Sequence, residues 1–323
     1  MSSPSPAVYP STAEEDVPCP LCGTSGNRLV VAERGIEHRF NMPVLPVSDY
    51  FQANCQSCGL LYINAPVKQD YLNGLYQNET VDWADELLGD PAKRMNDDER
   101  RRFSDVVDLV ARFKNIHGAQ WLDFGCQTGE LGLDAISRHG VAMSGVEISP
   151  DYAERAARLW QRGPHAVRPS LEDFQRRQFD VISSLETLEH MAEPWKMVAS
   201  LRKHLRPGGV LTVSVPSSHY FRLKYHVFRL VRLLVDRQAI RERPQSMRPS
   251  LYGLCHTHLY NFTPKSLSLL LEQQGLKVRY IGGIGWLSRY RILEKIASAI
   301  EMLTRRRVAI YPSVIAVAYN PPD

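Results

Sequence analysis

Between residues 119 and 216 short apolar runs alternate with amphipathic ones, and that alternation leaves few architectures open. QWLDFG, VAMSGVEI, FDVISSL and VLTVSVP are apolar enough to be strands buried on both faces. Between them GELGLDAISRHG, DYAERAARLWQRG and PWKMVASLRKHLRPGG carry the helical period, the first ending at Gly140 and the last with glycine after its end. HAVRP reads as a further short strand. Strand–helix alternation of this kind predicts a doubly wound, mostly parallel α/β sheet. Further on, TPKSLSLLLEQQG reads as a helix with Thr263 as N-cap and Pro264 in its first turn. KVRYIGG and SVIAVAYN then supply two last strands around a helical stretch from about Ile292 to Leu303, for a seven-stranded sheet.

The run from Trp121 to Glu130, WLDFGCQTGE, is a strand that opens through a glycine-containing turn into a helix. Such a turn lets backbone approach a ligand closely, and the helix N-terminal N–H groups face it. The next strand ends at Glu147, placed to accept hydrogen bonds from both ribose hydroxyls of an adenosine-bearing cofactor. A nicotinamide fingerprint would read Gly-x-Gly-x-x-Gly, whereas this turn has Gly125, Gln127 and Gly129, so a dehydrogenase does not fit.

At these positions the chain resembles the class I S-adenosylmethionine-dependent methyltransferases, over roughly two hundred residues. The resemblance implies that Asp123, Gly125, Gln127 and Gly129 border the cofactor and that Glu147 and Ile148 flank its ribose. It also implies that the loop with Glu172 and Asp173 meets the adenine, and that Leu185 lies beside the methyl-bearing end. The run from Phe179 to His190 matches the fourth strand and its turn, and Leu205 to Gly209 matches the loop before the fifth strand. Gln127 departs from the family, which has glycine there: its side chain reaches toward the methionine carboxylate or crowds the site.

Four of the six cysteines form two pairs, Cys19 with Cys22 and Cys55 with Cys58, each followed by glycine. Two Cys-x-x-Cys knuckles offer four thiolates to one ion, the closed tetrahedral set of a structural zinc site. The spacing reads as a zinc ribbon, and zinc would hold together a module too small for its own core. The expected organisation is therefore a disordered leader over 1–18, a zinc ribbon over 19–66, a helical linker or cap over 67–118 with Tyr71, Tyr76 and Trp83 and a helix from Asp97 to Phe113, and the catalytic domain over 119–323 with a basic insertion at 217–254. The segments from Cys58 to Pro66 and from Gly253 to Gly275 resemble bacterial methyltransferases that act on sugars and other biosynthetic intermediates.

Methyl transfer is an in-line displacement, and a hydroxyl or carbon acceptor also needs a base. His190, in the turn after the fourth strand, is the first candidate, with Glu186 beside it and His258 reaching across. Cys255 next to His256 and His258 raises the idea of a second metal. From Pro216 onward 17 Lys and Arg stand against 6 Asp and Glu, although the whole chain is only +4. Within that basic third, Leu223, Val227, Leu230, Val231 and Leu234 recur at helical spacing among Arg222, Arg229, Arg232, Arg237 and Arg241. This predicts a basic helix that closes over an anionic small-molecule acceptor such as a nucleotide-linked sugar. The same helix would suit an anionic lipid surface, but its place after the fifth strand favours the pocket. No nucleic-acid motif accompanies the charge, so DNA is not expected, and RNA or protein methylation or a non-enzymatic interaction role are the alternatives. Without a signal-like or membrane-length apolar run, the expected location is the cytoplasm. The oligomeric state is not legible.

Overall fold

A computed structural model describes residues 18–25, 28–33, 50–63, 68–77, 97–160, 165–234, 258–284 and 291–322. All but the last residue of the expected leader, Trp83, the segment 235–254 of the basic insertion, Cys255 and His256 lie outside the described residues. So do the side chains of Leu230, Val231 and Leu234 and of Arg229 and Arg232.

The catalytic sheet is built from β4 (Gln120–Phe124), β5 (Ala142–Val146), β6 (Ala166–Arg168), β7 (Phe179–Leu185), β8 (Leu205–Pro216), β10 (Lys277–Ile284) and β11 (Ser313–Tyr319). Their order is β10-β11-β8-β7-β4-β5-β6. The five strands from β8 to β6 run parallel, and β11 lies antiparallel between β8 and β10. This is the mostly parallel seven-stranded sheet expected from the sequence. Strand order reverses between β7, β4 and β5, so the crevice beyond the ends of β4 and β7 is where such a sheet takes a ligand.

Helices α2 (Asp97–Ala111), α3 (Glu130–His139) and α4 (Pro150–Leu159) cover one face, where Trp121, Met143 and Trp160 are fully buried with Val106 and Val110. On the other face lie α5 (Pro194–Lys203) and α7 (Pro264–Gln273). Thr263 caps α7 as the sequence indicated, in a reciprocal capping box with Ser266. Helix α5 stops at Lys203, and the loop expected over Leu205 to Gly209 is the start of β8 instead. Leu205 already pairs with Phe179, Asn320 Nδ2 donates to the Leu205 carbonyl, and the two glycines are drawn into β8.

The N-terminal strands β1 (Arg28–Glu33), β2 (Tyr50–Asn54) and β3 (Leu61–Ile63) form an antiparallel sheet that is closed by β9 (Tyr260–Asn261), a strand far along the chain that pairs Asn261 with Leu61. Cys19, Leu21, Cys55, Cys58, Leu60 and Tyr62 belong to the same apolar cluster as Leu188, Phe262 and Leu267. The two Cys pairs therefore rest on the catalytic core rather than beside it. Helix α1 (Gln69–Gln77) is pinned over the turn after β7, because the Ala192 N–H donates to Gln69 Oε1 at 2.9 Å. After β8 the chain enters α6 (Ser218–Leu234), as the basic segment implied, and there Leu223 and Val227 are 46% and 51% exposed. The last helix, α8 (Arg291–Leu303), falls where expected. Among the described residues no helix is long and apolar enough to cross a membrane.

Candidate active site and cysteine cluster

Three backbone features shape the crevice at the ends of β4, β5 and β7. The N–H groups of Gly125 and Cys126 both donate to the Val146 carbonyl, at 2.8 and 3.0 Å, which bends the chain sharply off β4. A Cβ on Gly125, at φ +78°, would come within 2.4 Å of Thr187 Oγ1, so only glycine lets the β4 and β7 turns meet. Gln127 holds φ +45°, a left-handed conformation that costs a non-glycine residue about 1 kcal/mol. Its N–H gains a charged acceptor in return, donating to Glu147 Oε2 at 2.9 Å, and its side chain is exposed.

Glu147 is thus gripped from two sides, since the Ser149 N–H donates to Oε1 at 2.9 Å. Burial, at 7% exposure, pushes its carboxyl above the ordinary range, and the two N–H groups work against that. With one lone pair on each oxygen committed to backbone, the other two are fixed in direction. That suits a pair of neighbouring hydroxyls. Ile148 is half-buried next to it.

Asp123 lies deeper. Ser183 Oγ donates to its Oδ1 at 2.6 Å, and Trp121 Nε1 donates to Ser183 Oγ at 2.9 Å, so the acid is held within the sheet. Burial pushes its carboxyl up to about 7. Trp160 Nε1 donates to the Gly129 carbonyl at 2.7 Å and so fixes the start of α3. Glu172 and Asp173 are exposed on a short 3-10 turn, Leu171–Phe174, with the Glu172 carboxylate held low by the Ser170 hydroxyl.

Beyond β7, Leu185 is half-buried and Glu186 adopts φ +50°. The Glu186 carboxylate faces Arg102 Nη2 at 3.2 Å and accepts from Ser214 Oγ at 2.8 Å. It therefore does not join the two histidines expected with it. Those two do meet: the His190 and His258 rings stand edge to face, 4.5 Å between centroids. His190 Nδ1 hydrogen-bonds the Tyr76 hydroxyl at 2.5 Å. Burial pulls His258 down to about 4.

Between them sits Glu189, which the sequence reading passed over. It is fully buried at 0% exposure, its carboxyl is driven well above the ordinary range by burial and then by the Glu186 charge, and neither carboxylate oxygen has a hydrogen-bond partner among the described residues. Tyr76, Arg102, Ser183 and Thr187 were likewise given no role beforehand. Only Glu189 had a usable signal, an acid two residues into the apolar turn after β7.

The four cysteines come together with Cys19 and Cys58 sulfurs 3.7 Å apart and Cys22 and Cys55 3.5 Å apart. All four sulfurs lie within 4.8 Å of one another. A tetrahedron with metal–sulfur bonds of about 2.3 Å has edges of about 3.8 Å, so the spacing suits one zinc ion. The Cys58 N–H points at Cys55 Sγ, 3.4 Å away. The Cys19 thiol is held down at about 5 by its hydrogen bond with Cys58, whose own thiol is pushed up by the same contact.

Residues 97–281 match the family model described as a methyltransferase domain. The chain belongs to the class I S-adenosylmethionine-dependent methyltransferases. Among curated proteins this methyltransferase is similar to the ubiquinone biosynthesis O-methyltransferase of Hydrogenovibrio crunogenus, 23% identical over 202 residues, which cover 59% of this chain and 76% of the relative. It is also similar to the protein of that name from Actinobacillus pleuropneumoniae, 30% identical over 119 residues. That match covers 33% of this chain and half of the relative's length. Among solved structures, the cyclopropane synthase MmaA2 of Mycobacterium tuberculosis shares the fold, with a TM-score of 0.50 at 14% identity over 79% of this chain and 98% of that one.

Proposed function

We propose that this methyltransferase transfers the methyl group of S-adenosylmethionine to an oxygen of a small-molecule acceptor, and that Cys19, Cys22, Cys55 and Cys58 hold a structural zinc ion. The observation that carries the cofactor assignment is Glu147, a nearly buried carboxylate aimed by the Gln127 and Ser149 N–H groups at the end of β5. The cofactor supplies a sulfonium methyl open to in-line displacement. The chain's residues do the rest. Glu147 accepts from the ribose hydroxyls, with Ile148 packed beside it; the turn from Gly125 through Gln127 to Gly129 lies along the methionine part, with Asp123 as its anchor; Glu172 and Asp173 edge the adenine. Leu185, at the end of β7, borders the methyl-bearing end, and the cluster of His190 and His258 next to it receives the acceptor's hydroxyl. Glu186, through Arg102 and Ser214, fixes the turn that carries them.

Oxygen as the acceptor atom draws support from the relatives' printed name, O-methyltransferase. A nucleotide-linked sugar or another anionic intermediate fits the basic character of the segment after β8. The zinc reading rests on the sulfur spacing and on the two knuckles. Calorimetry with S-adenosylhomocysteine tests the cofactor site: Glu147→Ala is expected to weaken binding by about 1–3 kcal/mol, the cost of unmade hydrogen bonds to a charged group. Equal affinity for wild type and variant removes Glu147 from the site, and no binding by either overturns the reading.

A further inference from the structure

We propose that Glu189, His190 and His258 form a site for a first-row divalent metal ion, which holds the acceptor oxygen beside the cofactor methyl group. One ligand atom from each of the three lies within 4.8 Å of the others, and His190 Nε2 stands 3.8 Å from Glu189 Oε1. Ligand atoms around an ion at about 2.1 Å sit roughly 3 Å apart, so side-chain shifts of about 1 Å close the set.

Glu189 carries the argument. A fully buried carboxylate with both oxygens unpartnered is among the most unfavourable arrangements a core can hold, costing several kcal/mol when ionised. A second carboxylate, Glu186, lies close enough to make that worse. Arg102 eases the penalty only from a distance, since its guanidinium lies on Glu186, and His190, 3.8 Å away, offers a positive charge only when protonated. A dication between the carboxylate and the two imidazoles removes the penalty. It also gives the acid a reason to be there.

The surroundings are those of a built site. The Tyr76 hydroxyl on His190 Nδ1 is the outer hydrogen bond that fixes which ring nitrogen faces an ion. The Leu259 N–H donates to the Glu189 carbonyl at 2.8 Å, which locks His258 alongside the turn Leu188–His190. Two imidazoles and one carboxylate on one side leave coordination places open, unlike the four sulfurs of the cysteine cluster, and such sets take Mn²⁺, Fe²⁺, Co²⁺ or Zn²⁺. The turn follows β7 at the strand reversal, and the Thr187 hydroxyl just before it lies 3.4 Å from the Phe124 carbonyl at the start of the cofactor turn.

The chemistry rests on the methyl-transfer reading above. Coordination lowers the pKa of the acceptor hydroxyl, whose proton leaves to solvent. The oxygen lone pair then forms the C–O bond as the methyl carbon–sulfur bond breaks, and that bond's electron pair stays on sulfur, giving S-adenosylhomocysteine.

The test uses the full chain loaded with one zinc equivalent. Mn²⁺ is titrated in while the electron paramagnetic resonance signal of the free ion is followed, and S-adenosylhomocysteine affinity is measured on the same samples. Wild type is expected to bind one Mn²⁺ per chain, with affinity at least tenfold weaker in Glu189→Gln and in His258→Ala and S-adenosylhomocysteine binding within twofold of wild type. No Mn²⁺ binding by wild type, together with no Zn²⁺ beyond the first equivalent, overturns the site. So does Mn²⁺ affinity unchanged in both variants. Mn²⁺ bound without any S-adenosylhomocysteine binding would leave the site standing and sink the cofactor assignment alone.

Discussion

The cysteine cluster and the Glu189 cluster are both sets of side chains able to hold a metal ion around a small space, and they are built by opposite means. The four cysteines come from two short knuckles whose own backbone shapes the set: the Gly23 N–H donates to the Cys19 carbonyl at 2.8 Å and the Gly59 N–H to that of Cys55 at 3.0 Å. Each half is local in sequence. Glu189, His190 and His258, with Tyr76 behind them, are drawn from three distant segments and meet only because the catalytic sheet is folded. Four thiols close a tetrahedron and leave nothing open, whereas two imidazoles and a carboxylate leave room for a substrate atom. The first set is suited to holding structure together, and the second to receiving a further ligand.

That contrast predicts the largest effect for the sulfurs. Cys58→Ser, or chelation of the metal, should cost more than about 4 kcal/mol, in the range reserved for lost metals. Because Cys58 shares an apolar cluster with Leu267 and Phe262, and its carbonyl accepts from Thr263 Oγ1 at 2.9 Å, the damage should reach α7. Limited proteolysis would show cleavage in residues 18–63 first, then around α7. A variant with wild-type melting and protease resistance would break the comparison at its structural end.

A smaller effect separates two buried acids. Asp123 has a donor in Ser183, while Glu189 has none among the described residues, yet burial raises both carboxyls. For Asp123 the folded value of about 7 lies above the ordinary carboxyl value of 3.8, so the folded state binds the proton more tightly. Its contribution to stability is full below about pH 4, falls as pH rises to about 7 and is flat above that. Asp123→Asn keeps a polar partner for Ser183 and removes this slope. Denaturant titrations at pH 5 and pH 8 should find the wild-type loss between them larger than the variant's by about 2–3 kcal/mol. Equal losses would show that Asp123 does not titrate in this window.

Glu189→Gln should act the other way from the cysteine change. In metal-free protein at pH 8 it removes a buried group with no partner, so stability should rise by about 1–2 kcal/mol or hold, where Cys58→Ser lowers it. Added Mn²⁺ should raise the melting temperature of wild type and leave the variant unmoved, since an ion that binds only the folded state stabilises it by mass action. A variant that melts lower than wild type without metal would show that Glu189 is satisfied by a contact of its own.

The same division explains what could be read in advance. Strand–helix alternation, the Gly125 turn, the acid at Glu147, the α7 cap at Thr263 and the paired cysteines are local patterns, each legible within a few residues. The closure of the N-terminal sheet by β9 was not, because Tyr260 and Asn261 reach β3 through the fold and carry no mark of it. Glu186 was legible as a residue near the site but not as one whose carboxylate turns to Arg102 and Ser214, since that depends on α2 packing across the end of the sheet. Glu189 left a faint mark, an acid within the apolar turn after β7, but an acid one residue before His190 reads as solvated until burial places it inside.

The finest distinction lies between the two knuckles themselves. Gly23 and Gly59 both hold left-handed backbone, at φ +71° and +78°, so alanine at either costs about 1 kcal/mol in conformation alone. Their surroundings differ. A Cβ at Gly23 meets nothing within 4 Å, whereas one at Gly59 comes within 2.9 Å of Thr263 Cγ2. Thr263 cannot yield freely, because its hydroxyl donates to the Cys58 carbonyl and accepts from the Ser266 N–H at the start of α7. Gly59→Ala should therefore cost about 2 kcal/mol against about 1 for Gly23→Ala. It should also release zinc faster to a chromophoric chelator, since it disturbs the knuckle and its seat on α7 together. Equal costs and equal release rates would mean that the second knuckle gains nothing from α7, and the cysteine cluster would then stand as a local device at both ends.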